Sequence, residues 1–318
     1  MVLNISSSIV LALFVGLLMP IILAHKSYFY GRGSYAFLNK SNIECIQGVC
    51  LILILLHQVI NRVSRPDLIL QALGGLGTGA LAVYLFLMGV EFRTFSIQAK
   101  KWIRKRMFQS AIRLFLMFVA GNFLMTLVQI YLGEEMSFLD MLRHTMMGQF
   151  LDGSQAFLIV TLFIFYLLLG LTQNLKVVSL LGLVGGWPAI FVILGIWVAT
   201  YQKMMFLVMR KQLLNVSLIS GILFCLSVKW SFLLPIASVL GIMVVLMKVQ
   251  FKSKVFRLLS QFSCPLYVLQ LPILYLVFYS SEPRDSALIV LTLVISLLVA
   301  ILFKVMLMSD FKQLKTSR

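Results

Sequence analysis

Within the run IQGVCLILILLHQVI, residues 46–60, one imidazole and two amides interrupt what is otherwise apolar sequence. Imidazole titrates near neutral pH, so His57 is a candidate general base. The amides of Gln47 and Gln58 cannot take a proton, but they can orient a hydroxyl or a carbonyl. In a helix, residues eleven apart are three turns apart and offset by only about 20°. Gln47 and Gln58 therefore share a face, one near each end of the run and roughly 16 Å apart, while His57 points about 80° away from Gln47. Three more polar side chains fall in apolar runs: Glu91, Arg113 and Gln270. Such groups are costly in hydrocarbon and turn to a bundle interior or a cavity, where they either bond a neighbouring helix or serve a site. Glu91 and Arg113 lie near corresponding ends of their predicted helices, placed to pair or to meet an anionic ligand.

Other chemistry is not signalled. There is no phosphate-binding loop, nucleotide fingerprint, nucleophile elbow or HExxH element. The four cysteines (Cys45, Cys50, Cys225, Cys264) lack metal-ligand spacing, so no metal and no bound cofactor is expected. His25 and His144 fall in predicted loops.

The elements that must position these residues follow from composition. The 318-residue chain is 61% hydrophobic and 12% charged, against roughly 45–50% apolar for soluble domains. Apolar runs near twenty residues recur throughout, which predicts an all-α polytopic membrane helical bundle in the lipid bilayer. With 27 Lys and Arg against 10 Asp and Glu, the charge is +17. In a membrane protein this reads as basic cytoplasmic loops, not nucleic-acid binding. Spans are predicted at about 8–24, 45–60, 73–92, 110–132, 154–172, 212–228, 231–247, 262–280 and 287–306. The first lacks a basic leader and a small-residue cleavage site, and so reads as a retained span.

Residues 177–201 form one straight span or a short hairpin turning at Gly185-Gly186-Trp187-Pro188. The hairpin gives about ten to eleven segments, with the N-terminus outside and the C-terminus cytoplasmic. It places 21 of the 27 basic residues inside, including the stretches Arg93 to Met107, Tyr201 to Gln212 and Lys248 to Leu258. A single span would turn the basic loops of the C-terminal half outward, so loop charge favours the hairpin.

The ordered segments resemble the membrane acyltransferase-3 family of O-acyltransferases over roughly residues 43–306. IQGVCLILILLHQVI followed by GALAVYLFLMGVEF is similar to the family's opening, a basic residue and Gly with a histidine eleven positions on. KKWIRKRMFQSAIRLFLMF resembles its basic loop and following helix. GSQAFLIVTLFIFYLLL, WPAIFVILGIWVATYQK and LLSQFSCPLYVLQLPIL resemble three later segments. The resemblance implies residues 1–42 as an added span and basic loop, 43–306 as the transmembrane core, and 307–318 as a basic tail. It also implies transfer of an acetyl or other acyl group from cytoplasmic acyl-CoA to a cell-surface polysaccharide or lipid-linked sugar.

The chain departs from the family at the chemistry. Gln47 stands where the family has its basic residue, and Gln58 and Gln270 stand where it has histidines. Met88 stands at a serine, and Gln109 at the second arginine of an Arg-x-x-Arg pattern, leaving Arg106. His57 is then the surviving base, one residue off the expected site, and a helix rotation or local bulge would bring it to the cavity. Gln58 and Gln47 would orient the acceptor or acyl carbonyl. The basic residues Lys100, Lys101, Arg104, Lys105, Arg106 and Arg113 would draw the phosphates of acyl-CoA. The rival expectations are a catalytically degenerate scaffold on the same helices and a sugar or lipid permease.

Overall fold

A computed structural model describes residues 5–25, 27–30, 37–61, 67–96, 100–147, 153–172, 174, 178, 186–263, 266, 270, 272–276, 294–296 and 298. It is mostly helical. The N-terminal segment is α1 (Ile5–Leu13), a π-helical stretch (Phe14–Leu18) and α2 (Met19–Ala24). A short strand β1 (Tyr28–Phe29) precedes α3 (Lys40–Ile60), α4 (Leu68–Ser96) and α5 (Lys100–Tyr131). Then come α6 (Phe138–Met147), α7 (Gly153–Thr172), α8 (Gly186–Thr200) and α9 (Gln202–Lys211). α10 (Leu213–Leu226), α11 (Leu233–Lys248), β2 (Val249–Gln250) and α12 (Lys254–Ser260) complete the set.

Local sequence sets the ends of these helices. Asn39 Oδ1 accepts from the Asn42 N–H at 2.8 Å to start α3, and Asp67 Oδ1 accepts from the Leu70 N–H at 2.7 Å to start α4. α5 stops at Gly133, whose φ of 93° suits glycine. There the Gly133 and Glu134 N–H groups return to the Ile130 and Gln129 carbonyls, and this pairing ends the helix without orphan carbonyls.

Among the described residues, three helical stretches are long and apolar enough to cross a membrane: Lys40–Ile60, Leu68–Thr94 and Met107–Tyr131. The bent pair α8–α9 makes a fourth if counted as one span. Shorter apolar helices occupy Leu11–Ala24, Ile159–Thr172, Leu213–Leu226 and Leu233–Lys248. The α10 helix buries none of its side chains, and Leu214, Leu218 and Ile222 stand exposed on it. In water such a surface would be an aggregation hazard, whereas in hydrocarbon it is an ordinary lipid-facing wall. The chain is a membrane protein.

Three predicted loops are helical instead. The basic stretch Arg93 to Met107 is taken up by the end of α4 and the start of α5, leaving only 97–99 between them. Lys, Arg and Gln are good helix formers, and the helices simply continue past the apolar stretch. Tyr201 to Gln212 holds α9, and α6 lies in the predicted loop that carries His144 and the acids Glu134, Glu135 and Asp140, its start marked by reciprocal bonds between Ser137 and Asp140. His144 is therefore helical. α8 begins at the predicted Gly-Gly-Trp-Pro break, with φ of 70° at Gly186 and Pro188 in its first turn. The preceding limb of the hairpin apart from Val178, the predicted span 287–306 apart from four residues, and the tail 307–318 lie outside the described residues.

Packing centres on α4, which contacts α1, α3, α5, α8 and α11. Gly89 of α4 and Gly195 of α8 meet face to face. A Cβ on Gly89 would strike the Val192 carbonyl, and one on Gly195 the Phe86 carbonyl. At one end of the bundle, β1 and β2 pair antiparallel, Tyr28 opposite Gln250 and Phe29 opposite Val249. The fully buried Asn42 completes this clasp: its Nδ2 donates to the Phe37 carbonyl at 2.9 Å, and its Oδ1 accepts from the Phe251 N–H at 2.7 Å. Gly195→Val is expected to push α8 off α4 and cost about 1–3 kcal/mol, read as a lower thermal midpoint of the purified protein. Asn42→Leu keeps the branched shape of the side chain but orphans two buried backbone groups, and should cost roughly 2–4 kcal/mol in the same assay.

Candidate active site

The α3 helix carries its polar residues on two sides. Gln47 and Gln58 are both buried, and the helical phase puts Leu51 and Ile54 between them on one face. His57, half-buried, turns to α4: its Nδ1 lies 2.6 Å from the Gly74 carbonyl oxygen. That partner accepts only, so Nδ1 carries the proton and Nε2 the lone pair. Nε2 accepts from the Asn61 side-chain amide at 3.0 Å, at the exposed end of the helix. α4 makes room for the ring with Gly77, where a Cβ would strike the His57 Cβ. The α3 helix is unbroken over 40–60, with no bulge that would swing the imidazole onto the face of Gln47 and Gln58.

Below the imidazole lies a cavity of about 200 Å³ between four helices. Leu51 and Ile54 of α3, Leu81 of α4, and Leu114 and Met117 of α5 give it an apolar wall. Its polar groups are Tyr84, Ser110, Arg113, Tyr166 and Ser263, with the Tyr84 hydroxyl donating to Ser263 Oγ at 2.9 Å. Phe92 meets the Tyr166 ring edge-on at 5.0 Å and holds it in place. Met88 also lines the cavity. Ile54 is one turn before His57, and Leu81 is about one turn from Gly77, so the cavity ends roughly one helical turn below the imidazole.

Residues of the late segment close over α3. Leu266 packs on Leu51 and Leu55, and the fully buried Gln270 donates from Nε2 to the Leu55 carbonyl at 3.0 Å. This bond settles the orientation of the amide, so its other atom is an acceptor. Gln270 Oε1 has no hydrogen-bond partner among the described residues, and neither does Gln58 Oε1. Two positions more than 200 residues apart in sequence thus bring orphan acceptors to the same turn of α3.

The other predicted residues spread out. Gln47 lies three turns from Gln58, at the opposite end of α3. Arg104, Lys105 and Gln109 are exposed on the first turns of α5, and among the described residues of the basic set Arg113 reaches the cavity. Glu91 is half-buried on α4, one turn past Met88. The side chains of Lys100, Lys101 and Arg106 lie outside the described residues.

One polar group was missed by sequence reasoning. Asn122, Thr126 and Gln129 of α5 are all buried, and Asn122 Nδ2 donates to the Thr145 carbonyl of α6 at 3.3 Å. Their spacing of four and three residues is the signal, one stripe along an otherwise lipid-facing helix.

Comparison with known proteins finds no matching family model, curated protein or solved structure. The orphan acceptors yield a stability test of their own. A buried unpaired acceptor costs about 1–3 kcal/mol, so Gln270→Met should leave the thermal midpoint unchanged or higher. A marked fall would show that Gln270 holds the fold and is not reserved for a ligand.

Proposed function

We propose that this chain is an integral membrane O-acyltransferase. It would move an acetyl or other acyl group from cytoplasmic acyl-CoA to a hydroxyl of a cell-surface polysaccharide or lipid-linked sugar. The ten to eleven spans and the cytoplasmic C-terminus expected from loop charge belong to this reading. The observation that supports it is the stacking of a hydroxyl-bearing apolar cavity about one turn below an imidazole whose tautomer is set by a backbone carbonyl.

In this mechanism the cavity takes the acyl chain, and Arg113 meets the donor's anionic or carbonyl oxygens. Arg104, Lys105 and Arg106 draw its phosphates at the cytoplasmic end. The acceptor hydroxyl gives its proton to His57 Nε2 once the Asn61 amide swings away. Its oxygen attacks the thioester carbon, the C–O bond forms, the C–S bond breaks, and the proton passes to the leaving thiolate. Gln58 and Gln270 accept hydrogen bonds from the acceptor's hydroxyls through their orphan oxygens. Nδ1–H, held by Gly74, keeps the base in the correct tautomer throughout.

The Asn61 bond favours a second reading, a non-catalytic scaffold in which His57 only ties α3 to α4. Radiolabel transfer from acetyl-CoA in membranes separates the two. For the enzyme, His57→Ala lowers transfer by at least about a hundredfold, while Asn61→Ala, which uncovers Nε2, keeps or raises it. Absence of transfer by the wild type, or full activity in His57→Ala, would sink the acyltransferase mechanism.

A further inference from the structure

The α9 helix is used by neither the cavity nor the imidazole. It follows α8 across a break at Tyr201 and is bent 91° from it. α8 is apolar along its length and packs against the membrane-spanning α4. With α8 taken as crossing the bilayer beside α4, a helix at right angles to it lies parallel to the membrane plane.

Its sequence, QKMMFLVMRK, divides into three arcs at about 100° per residue. Phe206 and Met209 are buried against the body of the protein, with Phe206 6.4 Å from the Phe37 ring beside the clasp. Met204, Leu207 and Val208 are exposed on the opposite side. Lys203 and Arg210, seven residues apart, fall on one line between these faces, while Lys211, also exposed, lies within the arc of Met204 and Leu207 at the C-terminal end of the helix. A soluble surface helix would have one apolar face; this one has two, with Lys203 and Arg210 at a border between them and Lys211 closing the exposed one. Such an arrangement suits a helix with protein on one side, acyl chains on another, and head groups along its flank.

The clasp beside it has the same character. Lys252 sits over the Tyr28 ring at 4.5 Å, and Phe29 is 80% exposed. Lys254, Val255 and Leu258 are exposed on α12. The carboxylate here, Glu44, is taken up by Arg257 at 3.0 Å and Lys40 at 3.6 Å, so it offers little counter-charge to the rest of this end. Basic groups interleaved with exposed aromatic and aliphatic side chains match an anionic leaflet, whose phosphates and acyl chains lie at two adjoining depths.

We propose that α9, with the β1–β2 clasp and α12, forms a lipid-recognition platform. It seats in the head-group layer and binds anionic phospholipid head groups through Lys203, Arg210 and Lys211. The platform is independent of any acyl transfer. Charge steers it to anionic lipid, and Met204, Leu207 and Val208 anchor it.

The test uses the full chain in lipid nanodiscs of phosphatidylcholine alone or mixed with phosphatidylglycerol, read by hydrogen exchange at residues 202–211. In the wild type, phosphatidylglycerol should slow exchange of α9 by about tenfold or more, since each basic residue near an anionic surface is worth about 1 kcal/mol. The triple variant Lys203→Gln/Arg210→Gln/Lys211→Gln should lose that dependence while α8 exchanges as before. The charge-preserving Lys203→Arg/Lys211→Arg variant should keep it. If the triple variant does not fold, the wild-type lipid series decides alone. Wild-type exchange indifferent to phosphatidylglycerol would overturn the proposal. So would equal slowing by inorganic phosphate in phosphatidylcholine discs, which would assign the surface to soluble anions.

Discussion

Close backbone approach along α4 is the constraint on which the described bundle depends. In hydrocarbon, helices gain nothing by hiding apolar side chains from one another, so association rests on tight packing and interhelical hydrogen bonds. Glycines bring neighbours onto α4 at three levels: Gly77 against His57 of α3, Gly79 against Ser238 of α11, and Gly89 against Val192 of α8. Each neighbour lies close enough that a methyl group would collide. The position of the imidazole follows from this packing, because the Gly74 carbonyl reaches Nδ1 only where α3 and α4 nearly touch.

Buried polar groups fall into two kinds, and the distinction separates scaffold from site. Asn42 is buried with donor and acceptor both paired, joining α3, the loop before it and the strand end at Phe251. A satisfied network of that type fixes one arrangement of the chain. Gln58, Gln270, Asn122 and Gln129 are buried with a carbonyl oxygen left over. Leaving an acceptor dry is costly, so such oxygens mark places where water or a hydroxyl-bearing ligand completes the shell. Two of these amides belong to the same turn of α3, which carries Gln58 and whose Leu55 carbonyl accepts from Gln270.

The surface has its own division of labour. Exposed leucines, isoleucines and phenylalanines on α5 and α10 face the acyl chains, whereas the helix bent away from α8 combines apolar and basic flanks at one end of the bundle. A positive charge excess can arise from topology alone. On α9, Lys203 and Arg210 share one helical line between two apolar faces.

The sequence determined that the chain is helical and membrane-embedded, because hydrophobic run length is a local property set by bilayer thickness. The shared face of Gln47 and Gln58 was also legible, since it needs only the pitch of a helix. Helices in the basic loop, in the acidic loop and at Gln202–Lys211 were hidden, because charged residues that form good helices look like solvated loop to a hydropathy reading. The stripe of Asn122, Thr126 and Gln129 was overlooked for a related reason: single amides and hydroxyls barely lower the mean hydropathy of a span. Only the tertiary structure decided that His57 faces the Gly74 carbonyl, that Gln270 reaches Leu55, and that Arg113 lines a cavity. Those facts depend on which helices are neighbours, and in a bilayer that choice rests on glycines and hydrogen-bond partners far apart in the chain.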